Sequence, residues 1–273
     1  MKKKIKDINL EEFRSSTSGF RSEEMKALNI NIKYTDDSSL VFDQGLKEIH
    51  DNHDILLPSF NSGTILSYVA RIDDKLNTLQ RRFLLKLKLV LLNNNPDFDT
   101  SSDKRYIDDL LMVLLDICGF DDGLELILRP CYLRLNVGKE SFAAIADKEG
   151  RRGQEIAWLI QEDKHRKSST FMHGDLQLAC AIIAAAQQNY SLLQRIYPEK
   201  VLGIKVVADS FYFCSITMSE EYLEDLIDNL PKSSTTMFVY PKKGLKLSDL
   251  EERKSILICL ETMKRYGLSL EKL

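Results

Sequence analysis

Ile156-Ala-Trp-Leu-Ile160 is an unbroken apolar run that stops abruptly in Gln161-Glu-Asp-Lys164, with turn formers at Gly150–Gly153 before it. An apolar run this short, bounded in this way, is characteristic of a strand covered on both faces. A strand of that kind needs a sheet with helices above and below it. The chain must therefore supply amphipathic helices on both sides of this segment.

The flanking pattern meets that demand. Ile65, Val69, Ile72, Leu76 and Leu79 recur at helical spacing and predict a helix from Ser62 to about Leu92, ended by Asn93–Asp97. A second helix is predicted from Asp103 to Ile117, with Tyr106, Ile107, Leu110, Val113, Leu114 and Ile117 inward and Gly119 closing it. Leu124–Leu128, Tyr132–Val137 and Ser141–Asp147 have strand character. An Ala-rich helix from Asp175 to about Asn189 is apolar nearly all round and so predicted to be buried. Leu202–Ala208 and Phe211–Met218 read as strands, Ser219 opens a helix to Asn229, Met237–Tyr240 reads as an edge strand, and Ser248 opens a last helix to Tyr266. The sum is α/β: a mixed central sheet flanked by helices. Residues 1–60 carry polar turns at Arg14–Phe20 and Tyr34–Ser39, and are expected to form a partly disordered arm with short helices near 21–28 and 42–51. Residues 61–100 read as a helical extension and 101–273 as the main domain.

Charge and cysteine content narrow the function classes. With 38 Lys+Arg against 41 Asp+Glu the formal net charge is −3, so the chain lacks the overall basic character of a protein that coats nucleic acid. Any nucleic-acid contact must rest on a local patch or on bound cations. The five cysteines are far apart, with no CxxC, so neither a disulfide framework nor a zinc site is indicated. A reduced intracellular setting, nuclear or cytoplasmic, is the expectation. No run approaches the roughly 18 apolar residues of a membrane helix, and no membrane association is expected.

The end of the apolar strand carries the chemistry. Alternation puts Glu162 and Lys164 on one face of a strand, with Asp163 on the other. If Ser141–Asp147 pairs with it through a hairpin about Gly150–Gly153, Asp147 arrives beside them. Two carboxylates suit a hard divalent ion, Mg²⁺ or Mn²⁺, which lowers the pKa of a bound water and neutralises a phosphate. Lys164 would orient the nucleophile or stabilise transition-state charge. An isolated E-x-K in a strand is more commonly a salt bridge, and an isolated aspartate more commonly a turn residue; the combination and the buried strand before it are what point to catalysis.

Gln161-Glu-Asp-Lys-His165, followed by Gly174-Asp-Leu-Gln-Leu178 and Ile182-Ile-Ala-Ala-Ala-Gln187, resembles a nuclease-like family of fungal genomes, in which a "QEDK(R/H)" strand precedes an "(E)xQLIAEAIAAFQ" helix. Leu202–Phe213 is similar to that family's next strand pair, and Tyr106–Leu111 to Asn136–Glu140 is similar to its lead-in. The family belongs to the PD-(D/E)XK superfamily, with related modules in Crinkler-type effectors. The resemblance spans about residues 100–265 and implies a restriction-endonuclease-like core with an N-terminal extension. It implies Asp147 and Glu162 as metal ligands, Lys164 and Gln177 as further site residues, and DNA or RNA as the partner. It also implies an acid from the first core helix, for which Asp103, Asp108 and Asp109 are candidates. Ala146 stands where the family carries Pro or Thr. A catalytically inactive module on the same fold, acting in nucleic-acid or protein binding, is the alternative.

Other polar residues have plainer readings. His165 and His173 could touch phosphate, and Arg151, Arg152, Arg166 and Lys167 flank the site. His50 and His53 read as polar arm residues. Phe211-Tyr-Phe213 could stack on bases, although core packing is the commoner role of such a strand. Arg81, Arg82, Lys86 and Lys88 form a basic helical stretch that could serve a protein partner, and a solvated face is again the commoner reading.

Overall fold

A computed structural model of the chain describes residues 8–43, 45–46, 57, 59–70, 75–94, 104–120, 129–163, 171–193 and 199–270, with the backbone alone at 129–130, 162–163, 171–173 and 193. In chain order the elements are α1 (Ser22–Ala27), β1 (Ile30–Tyr34), α2 (Ser62–Ser67), α3 (Thr78–Asn93), α4 (Lys104–Ile117), β2 (Arg129–Val137), β3 (Glu140–Arg152), β4 (Glu155–Asp163), α5 (Phe171–Leu193), β5 (Glu199–Val207), β6 (Ser210–Met218), α6 (Glu220–Asp228), β7 (Thr235–Lys246) and α7 (Leu250–Ser269). The strands form one seven-stranded mixed sheet in the order β1-β7-β6-β5-β4-β3-β2.

β2, β3 and β4 form an antiparallel meander, and α5 then carries the chain across one face so that β5 lies parallel to β4. The apolar run in β4 is buried on both sides. Trp158 and Ile160 pack with residues of α3, α4 and α7, while Ile156 and Leu159 join α5 and α6 on the opposite face. Gly150 makes room for the indole: a Cβ there would stand 2.1 Å from the Trp158 ring. Gly203 likewise lets α5 close on β5, where a Cβ would meet Ile182 at 2.9 Å.

Three expectations are corrected. The helix expected across 62–92 is two helices. Asn61 caps the first through Thr64 N, and Asn77 caps the second in a reciprocal box with Gln80. Val69, expected on a helical stripe, lies after the break and is 67% exposed. Next, β7 is not an edge strand, because β1 pairs with it in parallel from Ile30↔Thr235 to Tyr34↔Val239. The arm thereby supplies an edge of the sheet, and its Val41 and Phe42 join the same apolar cluster as α3 and α4. Finally, the turn segment expected about Gly150–Gly153 is mostly strand. β3 continues to Arg152, and the turn is made at Gly153, with φ +60°, and Gln154. The strand expected at 124–128 and most of the helix expected at 42–51 lie outside the described residues.

Candidate functional site

The β2–β3 ladder skips a residue near the end that faces α4. Cys131 pairs with Ala146 and Arg129 with Glu149, so Asp147 and Lys148 together oppose Pro130. A bulge of this kind redirects side chains, and Pro130, which has no N–H to offer the ladder, is a natural partner for it. Both bulged residues meet α4. Lys104 pairs with Asp147, and Lys148 pairs with Asp108. Lys104 and Asp108 are four apart and so share one helical face. The second Asp147 oxygen, Oδ2, accepts a 2.9 Å hydrogen bond from Gln161 Nε2 of β4. The Asp147 side chain is 20% exposed, and a carboxylate this shielded requires a positive partner. Such partly exposed pairs contribute about 0–1 kcal/mol each, so the quartet orients side chains more than it stabilises the fold.

Glu162 follows Gln161 on β4, with its backbone opposite Val206 of β5; its side chain lies outside the described part, as does all of Lys164. Gln177 on α5 donates to the Ile145 carbonyl at 3.2 Å, two residues before Asp147. The hairpin therefore joins Asp147 to Gln161, with the backbone of Glu162 adjacent, while Gln177 of α5 holds the β3 backbone two residues before Asp147. Of the first-helix acids, Asp108 faces the bulge through Lys148, Asp109 pairs with Lys86 of α3, and Asp103 lies outside the described residues. His50, His53, His165, Arg166 and Lys167 are also outside them, as is the side chain of His173.

Other residues singled out in the sequence have structural partners. Arg151 is clamped on Glu149 at 2.6 and 3.0 Å and donates to Gln154 O, so it braces the hairpin and is buried away from any phosphate. Phe211 and Phe213 are core residues. In the basic stretch of α3, Lys86 pairs with Asp109, Arg82 lies 3.9 Å from Asp116, and Lys88 donates to Tyr68 O. Those cations dock α3 on its neighbours.

A second polar group escaped the sequence reading. Lys205 of β5, in register with Gln161, forms a buried ion pair with Asp175 of α5. Tyr34 of β1 donates to Asp175 at 2.5 Å and accepts from Lys205 at 3.0 Å, and the Lys205 ammonium sits 4.6 Å from the Tyr212 ring centre. Burial and the Asp175 charge push the Tyr34 phenol well above its ordinary range. Lys205 interrupts the apolar segment Leu202–Val207. A lone lysine in a strand buried on both faces was the available signal, since it demands a buried anion.

Among the described residues, no three His, Cys, Asp or Glu side chains group closely enough to hold a metal ion, and no helix is long and apolar enough to cross a membrane. Compared with protein-family models the chain matches none, and no curated protein matches it. The class defined by the structure is thus an α/β protein with a seven-stranded mixed sheet flanked by helices.

Proposed function

We propose that the chain is a metal-dependent nuclease-like hydrolase of phosphodiester bonds in DNA or RNA, with its centre where β3, β4 and the start of α5 meet. The observation that carries this reading is the Gln161–Asp147 hydrogen bond across the hairpin, which brings the backbone of Glu162 next to the strand bearing Asp147. The succession α4, β2, β3, β4, α5, β5 supports a restriction-endonuclease-like core, with the preceding residues as an N-terminal extension.

The donor set partly fits a hard divalent ion. Asp147 is a shielded carboxylate that already holds a cation, the Lys104 ammonium, and Glu162 is the second oxygen donor of the reading. Mg²⁺ or Mn²⁺ held by these two would bring positive charge to the phosphate and lower the pKa of an attacking water. Lys104 opens α4, and its long stem lets it leave Asp147 when a stronger cation arrives. Lys164 would place its ammonium against phosphate or water. Gln177 is a positioning residue: its bond to the Ile145 carbonyl holds β3 against α5 beside Asp147.

One observation favours a second reading, a catalytically inactive nuclease-fold module that binds nucleic acid or protein. Both Asp147 oxygens are held by donors, and the quartet of Lys104, Asp147, Lys148 and Asp108 is neutral without an added ion. The test is cleavage of single- and double-stranded DNA and RNA with Mg²⁺, Mn²⁺ or EDTA, beside Glu162→Ala and Lys164→Ala. Metal-dependent cleavage lost in both folded variants supports the hydrolase. No cleavage, together with no calorimetric heat of Mn²⁺ binding, overturns it in favour of the binding module.

A further inference from the structure

β2 is an outer strand of the sheet, and its side chains alternate strictly. Cys131, Leu133, Leu135 and Val137 are buried, while Tyr132, Arg134 and Asn136 are exposed. The backbone alternates too. Asn136 turns its N–H and C=O away from β3, and one side chain of α5 serves both: Gln187 accepts from Asn136 N at 3.0 Å and donates to Asn136 O at 2.8 Å. An antiparallel neighbouring strand makes the same two-bond exchange, so Gln187 stands in for a strand at that position. By the period of two, Tyr132 and Arg134 turn their backbone groups the same way. Among the described residues, none hydrogen-bonds to those groups from outside the ladder, and none pairs with the Arg134 guanidinium. Beside this edge runs a groove of about 430 Å³ between β2 and α5, walled by Leu133, Ala184, Gln188, Ser191 and Leu192 together with Arg134. Arg134 is the charged residue of that lining, and among the described residues no carboxylate accompanies it there.

We propose that this edge is a docking site for an extended acidic segment of a partner protein, which adds a strand outside β2. Two features fix the chemistry of the occupant. Open backbone groups at Tyr132 and Arg134 call for main-chain hydrogen bonds, which any extended peptide supplies. Side chains of an added strand alternate, so one set meets Arg134 and the exposed Tyr132 ring, and the other enters the groove against Leu133 and Leu192. A carboxylate answers the first and an apolar side chain the second. The ladder is short, because Pro130 has no N–H before it and Gln187 closes it at Asn136.

The test is fluorescence anisotropy of the full chain with a labelled peptide of alternating valine and glutamate, beside the same peptide with lysine for glutamate. Saturable binding of the glutamate peptide is expected, with the lysine peptide weaker by about tenfold or more. Arg134→Glu should reverse that preference. Arg134→Pro removes the guanidinium together with an N–H that no described residue accepts, so it should weaken binding of the glutamate peptide by about tenfold with an unchanged circular-dichroism spectrum. Gln187→Ala frees Asn136 for the ladder and should tighten binding a few-fold, an outcome that damage to the fold would not give. Equal binding of the two peptides, no binding of either, or indifference to Arg134→Glu overturns the proposal. So does a concentration-dependent dimer abolished by Arg134→Glu, or displacement of the peptide by a single-stranded RNA, since the edge would then serve a second copy or a nucleic acid.

Discussion

Replacing Lys205 with methionine isolates the energetics of the buried polar group between β5 and α5. The pair is nearly sealed, with Lys205 1% and Asp175 2% exposed at the side chain. Methionine keeps the apolar stem and removes the ammonium, which leaves Asp175 buried with the Tyr34 hydroxyl as its remaining described donor. Breaking a buried pair from one side costs about 3–5 kcal/mol, because the uncompensated charge stays in the core. Loss of the ammonium over the Tyr212 ring adds about 0.5–2 kcal/mol. With a urea dependence of roughly 3 kcal/mol per molar, suited to a larger domain, the midpoint should fall by about 1.2–2.3 M. The chain's single tryptophan, Trp158, is buried edge-on to Phe120 and reports the transition by fluorescence. The double variant Lys205→Met with Asp175→Leu removes both charges and should recover most of the loss. A loss below about 1 kcal/mol for Lys205→Met, or a double variant no better than the single, would show that the charges are solvated and refute the reasoning.

Gly150→Ala drives a methyl into the Trp158 ring, where the Cβ would sit 2.1 Å away, so a cost of about 3 kcal/mol and a red-shifted Trp158 emission are expected on denaturant titration. Burial pushes the Cys118 thiol up to about 12 and also raises those of Cys180, Cys214 and Cys259. The unfolded chain loses these protons near 8.5 and the folded chain keeps them, so the unfolded state binds fewer protons above that pH. Stability should then fall as the pH rises above about 8.5, visible as a falling Tm that a flat alkaline profile would contradict. Deleting residues 1–43 removes β1, bares the edge of β7 and takes away Tyr34, so the shortened chain should aggregate by light scattering where the full chain does not. Lys104→Ala removes the competitor for Asp147. On the hydrolase reading it should tighten Mn²⁺ binding about fivefold, the equivalent of roughly 1 kcal/mol for a partly exposed pair, and calorimetry showing no such gain counts against an ion at Asp147.

The layers of the fold were legible because burial on two faces leaves a local trace. β4, the all-apolar α5 and the inward stripe of α4 each announce themselves over a few residues, and the helix starting after Ser219 carries its own cap. What failed depended on partners distant in the chain. Ile30–Tyr34 alternates correctly for a strand, yet its pairing with Thr235–Val239 spans about two hundred residues and has no local sign. Met237–Tyr240 read as an edge for the same reason. The break between α2 and α3 was a different kind of miss. Asn77 and Gln80 form a recognisable cap, and the apolar spacing through Val69 and Ile72 obscured it.

At the candidate site, the sequence located the strands and could not give the directions of the side chains. Alternation assumes a regular ladder, and the bulge opposite Pro130 breaks it at Asp147 and Lys148. The consequence is chemical. In a regular ladder neighbouring residues would point to opposite faces, whereas here both meet α4, and Asp147 acquires a lysine from outside the hairpin. The E-x-K spacing cannot reveal this, because a shielded carboxylate requires a positive charge and is indifferent to whether a lysine or a divalent ion supplies it. The two cations differ in their further demands. A lysine satisfies Asp147 and ends the matter, whereas an ion needs additional oxygen donors and holds water. The choice between the two cations therefore turns on whether Glu162 completes such a set beside Asp147, where an arriving ion meets both the Lys104 ammonium and the Gln161 amide.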